Sequence, residues 1–182
     1  MAEPLTTAEA KAHLRVTDTS EDSLIASYIV AAREWIENYT GFILVQREVE
    51  DAFAAWGDFL TLRNQPITVG DPTPTLTVTY IDTDGNEVEY ADRVIRDQRY
   101  PWKISPANGT TFPTLGTNGT ITVTYTAGYA SASDVPQALK QAMLLLIGHW
   151  FSMRSAIGEN PLQEAPLAVT SLCRPYRGAV LS

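Results

Sequence analysis

One cysteine, two histidines and three lysines in 182 residues are the scarcities that exclude most for this chain. Cys173 alone forms no intramolecular disulfide, and a reducing compartment presents no difficulty. His13, His149 and Cys173 are the strong nitrogen and sulfur ligands, and none is paired at i,i+4 or in a C-x-x-C spacing, which argues against a zinc-type site. Two histidines also serve few serine nucleophiles, and no G-x-S-x-G, G-x-G-x-x-G or G-x-x-x-x-G-K-[ST] string occurs. No catalytic, cofactor-binding or metal-ligating residue is therefore assigned, and the chain is not expected to be an enzyme. Basic residues are few as well: 13 against 21 acidic, a net charge of −8. Tight DNA binding needs clustered Lys and Arg to neutralise phosphates, so a DNA-gripping surface is excluded, though not one that DNA slides past. The apolar runs fall short of the roughly 18 to 20 residues a membrane helix needs. The start, Met1 to Leu5, is neither basic nor apolar, so no secretory leader is expected and synthesis in a cytosol is. The N-x-T triplets at Asn38, Asn108 and Asn118 then read as by-products of a Thr-rich composition.

Two amphipathic segments stand out against these absences. With 45% apolar and 19% charged residues the chain has the composition of a folded protein, of a size for one domain with a subdomain inserted. From Thr19 to Tyr39, a period of about 100° per residue puts Ile25, Tyr28, Ile29, Ala32, Ile36 and Tyr39 in one stripe, with Trp35 at its margin. Ser23, Ser27, Glu34, Glu37 and Asn38 fall on the opposite face. Thr19 is the expected N-cap, and Gly41 the left-handed stop after Thr40. A shorter helix precedes it, opened by the capping box Thr6-x-x-Glu9 and ending near Leu14. The second segment, Val135 to Ser155, has Asp134 as its expected cap and Pro136 where a helix tolerates a missing N–H. Its run from Ala138 to Met153 leaves almost no polar face, so most sides must be covered, by its own core or in part by another subunit.

The period changes between these helices. A β-prone stretch lies within Phe42–Phe53 and a short strand at Asp58–Leu62, followed by a linker with Pro66, Gly70, Pro72 and Pro74. Alternation in Leu76–Ile81, the Asp84-Gly85 pair and the return at Glu87–Tyr90 predict a hairpin. Further strands are expected at Arg93–Arg96, around Trp102–Ser105 and at Thr120–Thr126, with Ser105–Gly119 an exposed loop. The paired carboxylates (Glu48 with Glu50, Asp82 with Asp84, Glu87 with Glu89) read as solvated strand edges, with no desolvated partner to make an acid-base pair. The stretch Asp82–Glu87 superficially resembles a calcium loop, but its Gly comes too early and no Glu closes it.

Several motifs in this order resemble the head-tail connector (adaptor, neck) family of tailed bacteriophages. At the start they are Leu5–Val16, Glu21–Ile25 and Ala31–Gly41. At the far end they are Ala127-Gly128-Tyr129, Val135–Ala142, Leu144–Trp150 and the closing Leu172–Arg177. The shorter members are almost wholly helical, and the long β region departs from them. The resemblance implies a structural ring subunit without cofactor. It would sit between the portal and a stopper or tail-completion protein in the virion neck, with DNA passing through its channel, after assembly in the host cytoplasm.

These readings combine into one expectation: an α+β chain with a helical core built from both ends and an inserted, mostly antiparallel β subdomain. Residues 1–42 supply the N-terminal helices, 43–127 the β subdomain, and 128–182 the C-terminal helix and a docking tail. A cyclic ring needs two different complementary patches on each subunit. The candidate partner-binding residues are Trp150, Phe151, Leu167, Val169, Leu172, Arg174, Tyr176 and Arg177. The stretch from Ala165 to Ser182 is either an arm that orders on assembly or a terminal helix packed on its own domain. Alternatives left open are another neck or tail-completion protein and, from a different class, a small β-rich hydrolase or ligand-binding domain using Ser105–Gly119. The last requires a deep pocket lined by perturbed carboxylates.

Overall fold

Helix α1 (Thr7–Leu14) opens on the predicted capping box: the Glu9 N–H donates to the Thr6 hydroxyl, while the Thr6 backbone N–H and hydroxyl donate to the Glu9 carboxylate. It closes on Arg15, which holds the left-handed conformation at φ 58°. Helix α2 (Asp22–Thr40) ends on Gly41 at φ 76°, whose N–H donates to the Glu37 carbonyl. Its start differs from expectation. Glu21, not Thr19, occupies the cap position, because Thr19 to Glu21 already form a turn in which the Thr19 carbonyl accepts from the Asp22 N–H. In this computed structural model residues 3–66, 76–96, 101–153 and 166–177 are described, so Gly70, Pro72 and Pro74 of the expected linker lie outside the described residues, as does Ser155.

The chain divides into two compact units, residues 1–45 with 129–182, and residues 46–128. The first is helical. Helix α3 (Gln137–Met153) packs against α1, α2 and α4 (Leu167–Cys173), and a 3-10 turn (Arg174–Tyr176) continues α4. Leu139, Met143, Leu146 and Ile147 of α3 are buried against Ile25, Ile29 and Ile36 of α2 and Val169 and Cys173 of α4. Each such large side chain contributes roughly 1.5–3 kcal/mol relative to exposure. Asp134 does not cap α3; its carboxylate accepts from the Ser131 N–H and hydroxyl, and the Pro136 carbonyl takes the first helical bonds.

Glu37 corrects the predicted wet face of α2, since it is 8% exposed. Arg33, one turn earlier, donates to it at 3.1 Å and to Glu3 at 2.9 Å, and the Leu44 N–H donates to the other Glu37 oxygen at 2.7 Å. A paired and hydrogen-bonded carboxylate tolerates burial that a lone one does not. That bond also fixes the chain after α2. Leu44 joins the helical core, so Ile43–Val45 are not the start of a strand as their β propensity suggested.

The second unit holds two antiparallel sheets where one was expected, which makes the chain α+β. The larger runs β1 (Arg47–Phe53), β7 (Ile121–Ala127), β3 (Leu76–Ile81), β4 (Glu87–Glu89); the smaller runs β2 (Leu60–Thr61), β6 (Lys103–Pro106), β5 (Arg93–Arg96). Register pairs Val49 with Tyr125, Asp51 with Val123, Val78 with Val123 and Tyr80 with Val88. Alternation therefore sends Ile121, Val123, Tyr125 and Val78 to a buried face. The opposite face carries Thr77, Thr79, Thr122, Thr124 and Thr126, flanked by exposed Glu48 and Glu50 on β1 and Glu87 and Glu89 on β4. Arg93 donates to the carbonyls of Tyr90 and Leu76, tying strands of the two sheets. The loop after β6 is pinned as well: Phe112 stacks on Trp56 at 4.4 Å, with Tyr80 and Tyr90 packed around the pair. Gly116 meets the hairpin directly, its N–H donating to the Ile81 carbonyl.

Candidate functional site

The β unit buries a carboxylate, Asp51, in a polar cluster. Asp51 is 3% exposed and accepts from the Arg63 N–H at 2.8 Å, the Asn64 side-chain amide at 3.2 Å and the Tyr125 hydroxyl at 2.8 Å. The Asn64 N–H in turn donates to the Tyr125 oxygen at 3.0 Å. Burial, the hydrogen bond to Asp51 and the Asp51 charge together push the Tyr125 phenol far above its usual range. The phenol thus stays protonated as a donor, and the cluster locks the segment after β2 to the sheet. The burial of Asp51 is not visible in local sequence, where no desolvated carboxylate is expected. The only signal was that Asp51 shares the parity of Val49 on β1.

Asp82, the first residue of the apparent calcium loop, accepts from the N–H groups of Asp84 and Asn86. Those bonds, Asn86 first, hold its carboxyl below the usual range. The carboxylate organises a five-residue hairpin turn, with Gly85 at φ 86°. Among the described residues no group of three His, Cys, Asp or Glu side chains could hold a metal.

The loop proposed for a hydrolase borders an open cleft of about 440 Å³ lined by Asp58, Phe59, Lys103 and residues 105–110. Its one carboxylate, Asp58, is exposed, and the Lys103 ammonium lies 3.9 Å above the Phe59 ring. No histidine lines it. A nucleophile with its base cannot be assembled there.

The helical unit carries a different kind of surface. A shallow groove of about 500 Å³ runs between α1 and α3, lined by His13 and Leu14 on one side and Leu145, His149, Phe151 and Ser152 on the other. Gly148 faces the His13 ring across this groove, where a Cβ would lie 3.4 Å from the His13 Nε2. Both histidines of the chain thus line one groove of mixed polar and apolar character, a convergence that their spacing of 136 positions conceals in sequence.

The eight candidate partner residues separate. Trp150 and Phe151 are half-buried on α3, Trp150 against Tyr28 at 6.1 Å. Val169 is fully buried in its own core, and Leu172 and Tyr176 pack on that core, Tyr176 edge-on to Phe42. Arg177 covers the Tyr39 ring at 5.3 Å. Leu167, the first residue of α4, is 85% exposed, and Arg174, the first residue of the 3-10 turn, is exposed as well. Residues 166–177 therefore form a helix and turn seated on their own unit, with Ala165 and residues 178–182 outside the described residues. Cys173 is buried within that packing, which pushes its thiol up to about 11. No helix among the described residues is long and apolar enough to cross a membrane.

The chain thus joins a helical unit to an antiparallel β unit whose most buried carboxylate among the described residues, Asp51, is committed to structure. The head completion protein family matches residues 3–159, and the chain belongs to it. That bears out the resemblance to phage head-tail connectors, and the protein is a structural connector subunit. Among solved structures it is similar to a chain in the neck of an empty gene transfer agent particle computed with C6 symmetry. The identity is 29% and the TM-score 0.77, with 100% of this chain and 95% of that one covered. A chain in the virion of a native gene transfer agent is 28% identical at a TM-score of 0.76, over 98% and 92% of the two chains. A third, in a native particle neck computed with C12 symmetry, is 29% identical at 0.73, over 100% and 94%. No curated protein matches.

Proposed function

We propose that this protein forms a ring in the virion neck, docked to the portal on one side and to a stopper or tail-completion protein on the other, with DNA passing through its channel. The observation that carries the reading is the likeness, over the full chain, to neck components computed with cyclic symmetry. Charge supports the passage of DNA. The Thr face of the four-stranded sheet carries Glu48, Glu50, Glu87 and Glu89, and a wall of that sign repels the phosphate backbone instead of holding it. A structural role without turnover is in keeping with Asp51, the most buried carboxylate among the described residues, being occupied by three donors. The exposed Leu167, Arg174 and Arg177, together with the half-buried Trp150, Phe151, Leu172 and Tyr176, are the members of the candidate set with surface left for partners, and Val169 is not.

Native mass spectrometry of the full chain, alone and mixed with the portal protein of the same particle, tests this. A closed oligomer that appears or is retained on the portal is the expected result. A monomer that never joins the portal or any neck component overturns it.

A further inference from the structure

From the charges at the two ends of α2 we infer that neighbouring ring subunits meet head to tail there. The basic, aromatic C-terminal end, where Arg177 covers Tyr39, seats against the acidic turn of residues 18–22 at the N-terminal end of α2 in the next copy. The inference rests on the ring reading above and deepens it by naming the two surfaces. A closed ring of identical chains requires two different patches that match each other. Opposite charges at the two ends of one rigid helix meet that requirement.

Contacts inside the helical unit fix both ends. At the C-terminal end Trp35 and Tyr39, one turn apart on α2, stack at 5.1 Å with their planes 9° apart, and the Arg177 guanidinium lies 5.3 Å over the Tyr39 ring. Tyr176 packs edge-on to Phe42, just past the Gly41 stop, so the 3-10 turn that carries Arg174 is seated against this end of α2. The aromatic rings are half-buried, whereas Arg174 and Arg177 are exposed and have no ion pair among the described residues. The nearby Glu37 is already paired with Arg33. Trp, Tyr and Arg are the residue types that most often carry binding energy where chains meet, and a guanidinium already stacked on a ring loses little freedom on docking. At the N-terminal end Asp18, Glu21 and Asp22 fall within five residues, against the two bases Lys11 and Arg15. Lys11 takes Asp22, while the exposed Asp18 accepts from the Ser20 N–H and has no ion pair among the described residues.

The helix itself is the ruler between the two surfaces. Its 19 residues set the ends roughly 27 Å apart, several screening lengths at physiological salt, so they cannot neutralise each other within one chain. Acid at the start and base at the end of a helix also suit its dipole, but that contribution belongs to a single chain and produces no restoration between chains. A two-fold pairing of the same ends, α2 antiparallel to α2, would stop at a dimer and close no ring.

The test is charge reversal and mixing in the full chain, read by native mass spectrometry with and without the portal. Asp18→Lys gives a chain basic at both ends of α2, and Arg174→Glu combined with Arg177→Glu gives one acidic at both. Each variant by itself is expected to assemble about 10-fold more weakly than wild type, because like charges then face each other. Mixed in equal amounts, the two should recover assembly to within about 3-fold of wild type and form species larger than dimers. Where the arginine reversals lower the melting temperature of the monomer, Arg174→Glu alone takes their place with the same expectations. A ring that forms normally from either variant alone overturns the inference and leaves the ring reading standing. Variants that stay apart when mixed, or a mixture that stops at two chains, overturn it too. If wild type forms no ring with or without portal, the ring reading itself fails and takes this contact with it.

Discussion

Replacing Tyr125 with Phe removes one oxygen and leaves the ring, so it isolates the buried polar lock of the β unit. In the wild type that hydroxyl donates to Asp51 at 2.8 Å and accepts from the Asn64 N–H at 3.0 Å, with Tyr125 1% exposed and Asp51 3% exposed. A hydrogen bond to a charged group is worth roughly 1.5–3 kcal/mol, and the orphaned Asn64 donor adds to its loss. We expect Tyr125→Phe to cost about 2 kcal/mol, a factor of about 30 in the opening equilibrium of this unit. Hydrogen exchange read peptide by peptide is the suitable assay. Amides of Arg47–Phe53 and Ile121–Ala127 should exchange faster by about that factor, while α3, in the other unit, is unchanged. A double-mutant cycle with Asp51→Asn should return a coupling of at least about 1 kcal/mol. A cost under about 0.5 kcal/mol, or equal acceleration in α3, would refute the assignment of the lock.

Four further outcomes follow from single positions. Arg15 and Gly41 both hold left-handed backbone, so Arg15→Gly should stabilise and Gly41→Ala destabilise, each by about 1 kcal/mol in urea unfolding; matching signs would sink the argument. Gly116→Ala would place a Cβ 2.1 Å from the Asp82 carbonyl oxygen, backbone against backbone, so a loss of about 3 kcal/mol or failure of the hairpin to fold is expected by circular dichroism. The Tyr90 hydroxyl is buried without a hydrogen-bond partner, so Tyr90→Phe should be neutral or stabilising within about 0.5 kcal/mol in thermal melts. The Thr6 N–H and hydroxyl hold the Glu9 carboxyl below its ordinary 4.5, so its contribution is present above that pH and lost as pH falls through the lower folded value. The melting gap between wild type and Glu9→Gln should therefore close between about pH 5 and pH 3; a constant gap would contradict it.

Local signals carried the reading of the helices because their causes are local. The Thr6–Glu9 box, the Gly41 stop and the alternation in β3 and β7 each involve residues within a few positions of one another, and all three are present in the structure. What sequence concealed depends on distant partners. Thr19 yielded its cap role because a turn had already formed; Glu37 went inside because Arg33, Glu3 and Leu44 converge on it. The split of the strands into two sheets follows from which strand pairs with which, and alternation within a strand says nothing of that. The same holds for the candidate sites. Exposed Leu167 and half-buried Trp150 were legible as apolar residues, whereas the burial of Val169 and the placing of His13 and His149 on one groove between α1 and α3 are tertiary facts.

The measurement that bears most directly on the central claim is an electron cryomicroscopy reconstruction of the particle's neck containing this chain. The account predicts density for its helical and β units repeated around one axis, encircling the DNA path between the portal and the next neck component. Density for the chain away from that axis, or a neck complete without it, would contradict the account.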